Sequence, residues 1–115
     1  MVLATISIGE RVIIITRRSF QEDERRHFIG TVTARSGSLI RVDGHAWVAN
    51  AIGGFERRQE LRTRIFSLAT GVEIVLVVPA EVDVDRLRYQ SAQGRLVISD
   101  GSGYSLDITE FGRYR

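Results

Sequence analysis

The 115-residue sequence contains no cysteine and no lysine, and it has a single proline. Without cysteine there can be no disulfide, no thiolate nucleophile, no iron–sulfur cluster and no cysteine zinc site. Without lysine there can be no P-loop, no Schiff-base chemistry and no protein-kinase signature. These absences exclude each mechanism that depends on a thiol or an amine side chain, and we expect no cofactor.

Long hydrophobic runs are also missing. The longest apolar runs, at 12–15 and 74–80, are far shorter than the roughly 20 residues that a membrane-spanning helix needs. The N-terminus has neither the basic segment nor the apolar segment of an export signal. We therefore expect a cytoplasmic domain that does not enter a membrane.

The positive charge comes from arginine alone, because all 16 basic residues are arginine. The formal net charge is only +2, although the sequence pI is about 9.7. Residues 1–64 hold 11 of the arginines, and residues 65–115 hold more acidic than basic residues. Arginine codons are rich in G and C, so a GC-rich genome would explain the bias without selection for binding at any site.

Apolar residues alternate with a period of two along most of the chain, which predicts strands rather than helices. The runs at 12–15 and 74–78 are apolar at every position, which is typical of strands buried on both faces. One helical turn is predicted near 80–86, with Asp83 as its N-cap. We expect less than about 15% helix. The predicted core consists of Val12, Ile14, Val32, Ile40, Val42, Ile74, Leu76, Leu96, Ile98 and Leu106.

Turn residues divide these strands into hairpins. Ser36–Gly37 and Asp43–Gly44 predict that residues 27–49 form a three-stranded meander, because Asp-Gly favours a tight turn between short apolar runs. Residues 100–103 predict a later hairpin. The charged segments 17–26 and 51–61 fit loops or short helices.

Roughly eight or more short strands at such spacing predict a single all-β domain that is a barrel or a sandwich. The strand spacing of residues 9–78 resembles that of the SH3-like and Sm-like small barrels. The resemblance implies a small barrel of short antiparallel strands. Residues 80–111 would then form a helical turn and a C-terminal β-meander packed on it.

The sequence gives little support for any group of catalytic or metal-binding residues. His27, Asp43 and His45 could meet near one sheet end, but they lack metal-ligand spacing and a fourth ligand. Residues 101–103 lead into a strand rather than into the helix that a phosphate cradle needs. The sequence also has no nucleophile elbow. We therefore expect no metal site and no enzymatic activity.

Arginine pairs in the first two-thirds of the chain are the strongest functional signal. Guanidinium groups bind phosphates and carboxylates in a bidentate manner, and nearby aromatic rings could stack on bases. The sequence predicts an interaction domain that binds a protein partner or assembles with itself, and Arg-mediated binding of RNA or single-stranded nucleic acid is the alternative. The predicted binding residues are Arg17, Arg18, Arg25, Arg26, Arg57, Arg58, Arg62, Phe20 and Phe55.

Overall fold

The computed structural model describes residues 6–17, 25–50 and 54–109, and it is all-β, as the sequence predicts. The strands are β1 Arg11–Thr16, β2 Arg26–Ser36, β3 Leu39–Ala49, β4 Phe55–Arg57, β5 Arg62–Ser67, β6 Glu73–Val78, β7 Arg88–Ala92, β8 Arg95–Ser99 and β9 Ser105–Asp107. A short 3-10 turn, Val84–Arg86, lies between β6 and β7. No helix in the described part of the chain is long and apolar enough to cross a membrane.

The strands form two antiparallel sheets. The larger sheet has the order β4-β3-β2-β1-β6, and β5 pairs with the first half of β3 beside β4. The smaller sheet has the order β7-β8-β9. Within the described residues no strand pairing joins β5 to β6, so the closed barrel expected from the sequence is not observed.

A pair of glycines brings β2 and β3 unusually close together. Gly30 lies directly opposite Gly44. A Cβ atom at Gly44 would lie 2.1 Å from the carbonyl oxygen of Ile29, and a Cβ at Gly30 would lie 2.1 Å from that of Asp43. The predicted Asp43–Gly44 turn is therefore wrong, because this glycine permits a close backbone approach in the middle of β3. Residues 27–49 belong to one long hairpin, which turns at Gly37 with a φ of +59°.

The larger sheet packs a hydrophobic core on each of its faces. Val12 and Ile14 point to an inner core, whereas Ile13 and Ile15 point to an outer core, and all four are buried. The inner core contains Ile6, Val12, Ile14, Phe28, Val32, Ile40, Val42 and Ala46. The outer core joins both sheets and contains Ile13, Ile15, Ile29, Trp47, Phe55, Val78, Val82, Leu87, Leu96, Ile98 and Ile108.

The C-terminal sheet supplies the cover that the second apolar face requires. Ile98 and Leu87 are fully buried against the outer core, and Asp83 accepts a hydrogen bond from the Asp85 N–H as the predicted N-cap of the 3-10 turn. The β8–β9 hairpin turns where the sequence predicts it. Its Asp100 carboxylate accepts hydrogen bonds from three backbone N–H groups, which hold the pKa of Asp100 well below its usual range.

Two predictions about individual segments need correction. Seven of the ten predicted core residues are buried, but Ile74 and Leu76 are only half-buried because β6 is an edge strand rather than a central one. Leu106 is half-buried too. Segment 51–61 contains a strand rather than only a loop or a helix, since β4 pairs with β3 and buries Phe55. Residues 18–24 and 51–53 lie outside the described residues.

The glycine pair gives a direct test of this fold. Gly44→Ala should destabilise the protein by at least about 2 kcal/mol, because the added Cβ forces the backbones of β2 and β3 apart. Gly103→Ala is the matched control, since its Cβ meets no atom within 4 Å, and it should change stability by no more than about 0.5 kcal/mol. Urea denaturation measures both. Equal stability of the two variants would contradict the close approach.

Candidate functional site

The predicted arginines fall into two groups. Arg17, Arg25 and Arg26 lie at one end of the larger sheet, where Arg26 pairs with Thr16 of β1 and Val48 of β3. Arg57, Arg58 and Arg62 follow the edge of β3 that faces away from β2. Arg18 and Phe20 lie outside the described residues.

The second group contributes to a row of arginines that share one side of the sheet. The Arg58 N–H donates to the Ala46 carbonyl, Arg62 pairs with Gly44, and Arg64 pairs with Val42. The row therefore steps along every second residue of β3, a spacing of about 7 Å. Arg62 forms an exposed ion pair with Glu60 at 3.0 Å, and the Arg64 guanidinium lies 5.4 Å from the centre of the Phe28 ring. Arg64 was not among the predicted binding residues.

Phe55, the predicted aromatic binding residue that the structure describes, lies in the interior. Phe55 is only 8% exposed, and its ring stacks on His27 at 4.3 Å and on Tyr89 at 4.6 Å between ring centres. Trp47 and Phe28 are buried as well. Within the described residues, Phe55 is thus part of the packing between the two sheets and presents no exposed ring to a partner.

His27 is the buried titratable group of this aromatic cluster. Its Nδ1 lies 2.6 Å from the Tyr89 hydroxyl, which comes from the C-terminal sheet. Burial, and secondarily the positive charge of Arg25, lower the pKa of His27 from 6.5 to about 4. Burial also raises the pKa of Tyr89 well above its usual value. The hydrogen bond therefore joins two neutral groups across the interface between the sheets.

His27, Asp43 and His45 do not come together. His27 pairs with Trp47, so Asp43 lies four residues, or about 13 Å, further along β3. The Asp43 carboxylate accepts a hydrogen bond from Thr63, and the Nδ1–H of His45 donates to the Arg58 carbonyl. Among the described residues no group of histidine and acidic side chains could hold a metal ion.

A shallow groove of about 290 Å³ lies on the outer face beside the 3-10 turn. Backbone of Gly30 and Gly44 forms part of its wall, and Asp43, His45 and Arg57 supply polar groups. The Asp43 carboxylate and the His45 ring of this groove are already hydrogen-bonded, to the Thr63 hydroxyl and to the Arg58 carbonyl.

The free edge of β6 is the most unusual surface feature. β6 pairs with β1 on one side, and no described strand pairs with its other side. The strand has one charged residue, Glu73, at its first position, and residues 74–78 are all apolar. Sheet edges are normally protected by charged side chains or proline against pairing with other chains. Val77 is 46% exposed on this edge strand.

The other edge strands are protected in the usual way. Unlike β6 with its five consecutive apolar residues, each of them is interrupted by charged or polar residues: Glu56 and Arg57 in β4, Arg62, Thr63 and Arg64 in β5, Arg88, Gln90 and Ser91 in β7, and Ser105 and Asp107 in β9. Two of them, β4 and β9, are also only three residues long. Of the described edges, β6 therefore offers the least resistance to strand addition.

Comparison of the chain with models of protein families, with curated proteins and with solved structures finds no match. Function therefore has to be inferred from the geometry of the described residues.

The buried histidine makes stability depend on pH. The folded protein holds His27 neutral down to about pH 4, whereas the unfolded chain takes up a proton near pH 6.5. The free energy of unfolding should therefore be highest above pH 6.5, lower by about 2 kcal/mol at pH 5, and nearly constant below about pH 4 as far as this group contributes. Urea denaturation between pH 7.5 and 5 measures the decrease.

Two variants show whether His27 causes this loss of stability at low pH. His27→Gln should remove most of the decrease between pH 7.5 and 5, because glutamine does not titrate. His45→Gln, which changes the other histidine, should keep it. A wild-type stability that stays constant down to pH 5 would contradict the burial of a neutral His27.

Proposed function

We propose that this protein is a non-catalytic interaction domain whose ligand is a protein, either a different partner or a further copy of itself. The ligand adds a strand to the free edge of β6. The observation that carries the proposal is an edge strand with five consecutive apolar residues, 74–78, and with no partner on its second side among the described strands. Strand addition takes its affinity from main-chain hydrogen bonds and its specificity from alternate side chains.

Exposed apolar side chains lie at the end of β6. Val77 lines a hollow there with Ile8, Val78 and Pro79, and Glu10 and Arg11 at the start of β1 line it as well. Ile8 is 67% exposed and Val77 is 46% exposed. A strand added along β6 would therefore bury the exposed side chain of Val77 as well as pair backbone groups.

We further propose that the larger sheet is a small barrel of the SH3-like or Sm-like kind, left open between β5 and β6. Support comes from the consecutive antiparallel pairing of β1, β2, β3 and β5, from β6 returning to β1, and from the inner core that these strands surround. Because small barrels host many functions, this likeness alone assigns none.

Nucleic-acid binding is the second candidate, and the row of Arg58, Arg62 and Arg64 is the observation in its favour. Repeated guanidinium groups on one face suit a row of phosphates. Two observations weigh against it: Glu60 pairs with Arg62, and the Phe28 ring beneath Arg64 is buried, which leaves the half-buried Phe66 as the aromatic ring of this row that a base could reach. Binding of this kind would rest mainly on phosphate contacts.

A model peptide tests strand addition at β6. An extended peptide of alternating valine and threonine should shift the backbone amide signals of residues 73–78 in nitrogen–proton correlation spectra of a dilute sample. The same peptide with proline at every second position cannot donate the main-chain hydrogen bonds and should leave these signals unchanged. Shifts confined to other strands would contradict the proposal.

Oligonucleotides separate the two candidates. We expect no change in fluorescence anisotropy of labelled single-stranded or duplex oligonucleotides at ~50 mM salt, where phosphate contacts are strongest. Binding that weakens steeply between ~50 and ~200 mM salt, and that is lost in Arg58→Ala with Arg64→Ala, would instead establish the arginine row as the site.

A further inference from the structure

We propose that the ligand of the β6 edge is a second copy of this chain, and that two β6 strands pair antiparallel about a two-fold axis to join the larger sheets into one. This inference rests on the proposed function, because it names the occupant of the same edge. Its basis is the self-complementarity of β6 in that orientation.

The single charge of the strand favours antiparallel pairing of two copies. Glu73 is the first residue of β6, and the other five residues are Ile74, Val75, Leu76, Val77 and Val78. Antiparallel pairing places the two Glu73 carboxylates at opposite ends of the joined strands. Parallel pairing in register would place them side by side, where like charges destabilise a sheet.

The two faces of β6 match themselves in the same arrangement. Val75 and Val77 lie on the inner-core side of the sheet, because they pair with Ile14 and Val12. Ile74, Leu76 and Val78 lie on the outer-core side. A two-fold axis perpendicular to the sheet keeps each side continuous. With the axis beside Leu76, valine meets valine on one side, and isoleucine, leucine or valine meets the same set on the other. With the axis beside Val75, Glu73 lies opposite Val77.

Only two registers of this antiparallel pairing let the two β6 strands overlap over most of their length. The axis passes beside Val75 or beside Leu76, because directly opposite residues in an antiparallel pair must point to the same face. In both registers Val77 becomes covered by the partner strand. The 46% exposure of Val77 in the single chain is therefore surface that the second copy covers.

The absence of cysteine from the chain allows a direct test of this register. Three single variants are compared: Val75→Cys, Leu76→Cys and Glu73→Cys. On the two-fold axis, opposite Cα atoms lie about 4.5–5.5 Å apart, within disulfide range, whereas two residues at position 73 lie at least about 13 Å apart. Thermal denaturation of the reduced proteins verifies that each variant folds.

Mild oxidation of the folded variants should give a disulfide-linked dimer for Val75→Cys or Leu76→Cys and none for Glu73→Cys. Linkage of all three variants to a similar extent would indicate parallel pairing or random collision and would overturn the proposal. No linkage at either central position would also overturn it.

Light scattering of the cysteine-free protein over a range of concentrations tests self-association itself. We expect a dimer whose dissociation constant rises at least about tenfold in Val77→Glu, because the charge lies at the covered edge and, with the axis beside Val75, opposite the like charge of Glu73. The control is Ile65→Glu, a similarly exposed apolar position on β5, which should leave the dissociation constant unchanged. A dimer that is equally stable in both variants would overturn the proposal.

Strand addition at β6 and pairing of two copies can be tested separately. A protein that is monomeric at every concentration, while the valine–threonine peptide still shifts residues 73–78, would overturn the second-copy inference and keep the proposed function. A monomer that is also unaffected by the peptide would overturn both.

Discussion

Four consecutive buried residues in β1 impose the constraint on which the rest of the structure depends. Side chains of a strand alternate between its two faces, so Val12 and Ile14 need apolar cover on one face and Ile13 and Ile15 on the other. The larger sheet curves around the inner core to cover the first pair. The C-terminal sheet covers the second pair. Residues from both sheets are thus needed to cover β1.

The same constraint determines which edge is left open. β1 must lie inside the sheet, and β2 and β6 occupy its two sides. β2 continues into β3 and the charged strands β4 and β5, whereas nothing follows β6 in the described part of the sheet. Because β6 packs beside β1 over both cores, it has to be apolar on both faces. An apolar edge strand is therefore a direct consequence of how β1 is buried.

Local patterns in the sequence predict much of this fold but little of its surface. The period of two, the Asp83 cap and the turn at Asp100 depend on near neighbours, and each is confirmed. Asp43–Gly44 is the kind of dipeptide that favours a turn, but its glycine is needed for the close contact with Gly30 on the neighbouring strand. That requirement is tertiary, and the local sequence does not contain it.

The candidate site illustrates the same limit. Phe55 follows a glycine-rich segment and precedes charged residues, which is typical of a loop, yet it is buried by Tyr89 from a strand more than thirty residues away. The 74–78 run shows that a strand is apolar on both faces, but sheet order decides whether it is central or at an edge. The arginines could be located in segments from the sequence, whereas their arrangement in a row requires the register of β3 with β4 and β5.

Residue-specific hydrogen exchange tests the central claim that the larger sheet is centred on β1 and open at β6. In a dilute, monomeric sample, the amides of β1 should be among the slowest to exchange, because β1 is paired on both sides. In β6 every second amide should be protected by β1, and the amides between them should exchange rapidly from the free edge. Protection of all the β6 amides in the monomer would mean that the chain itself covers this edge and would contradict the account.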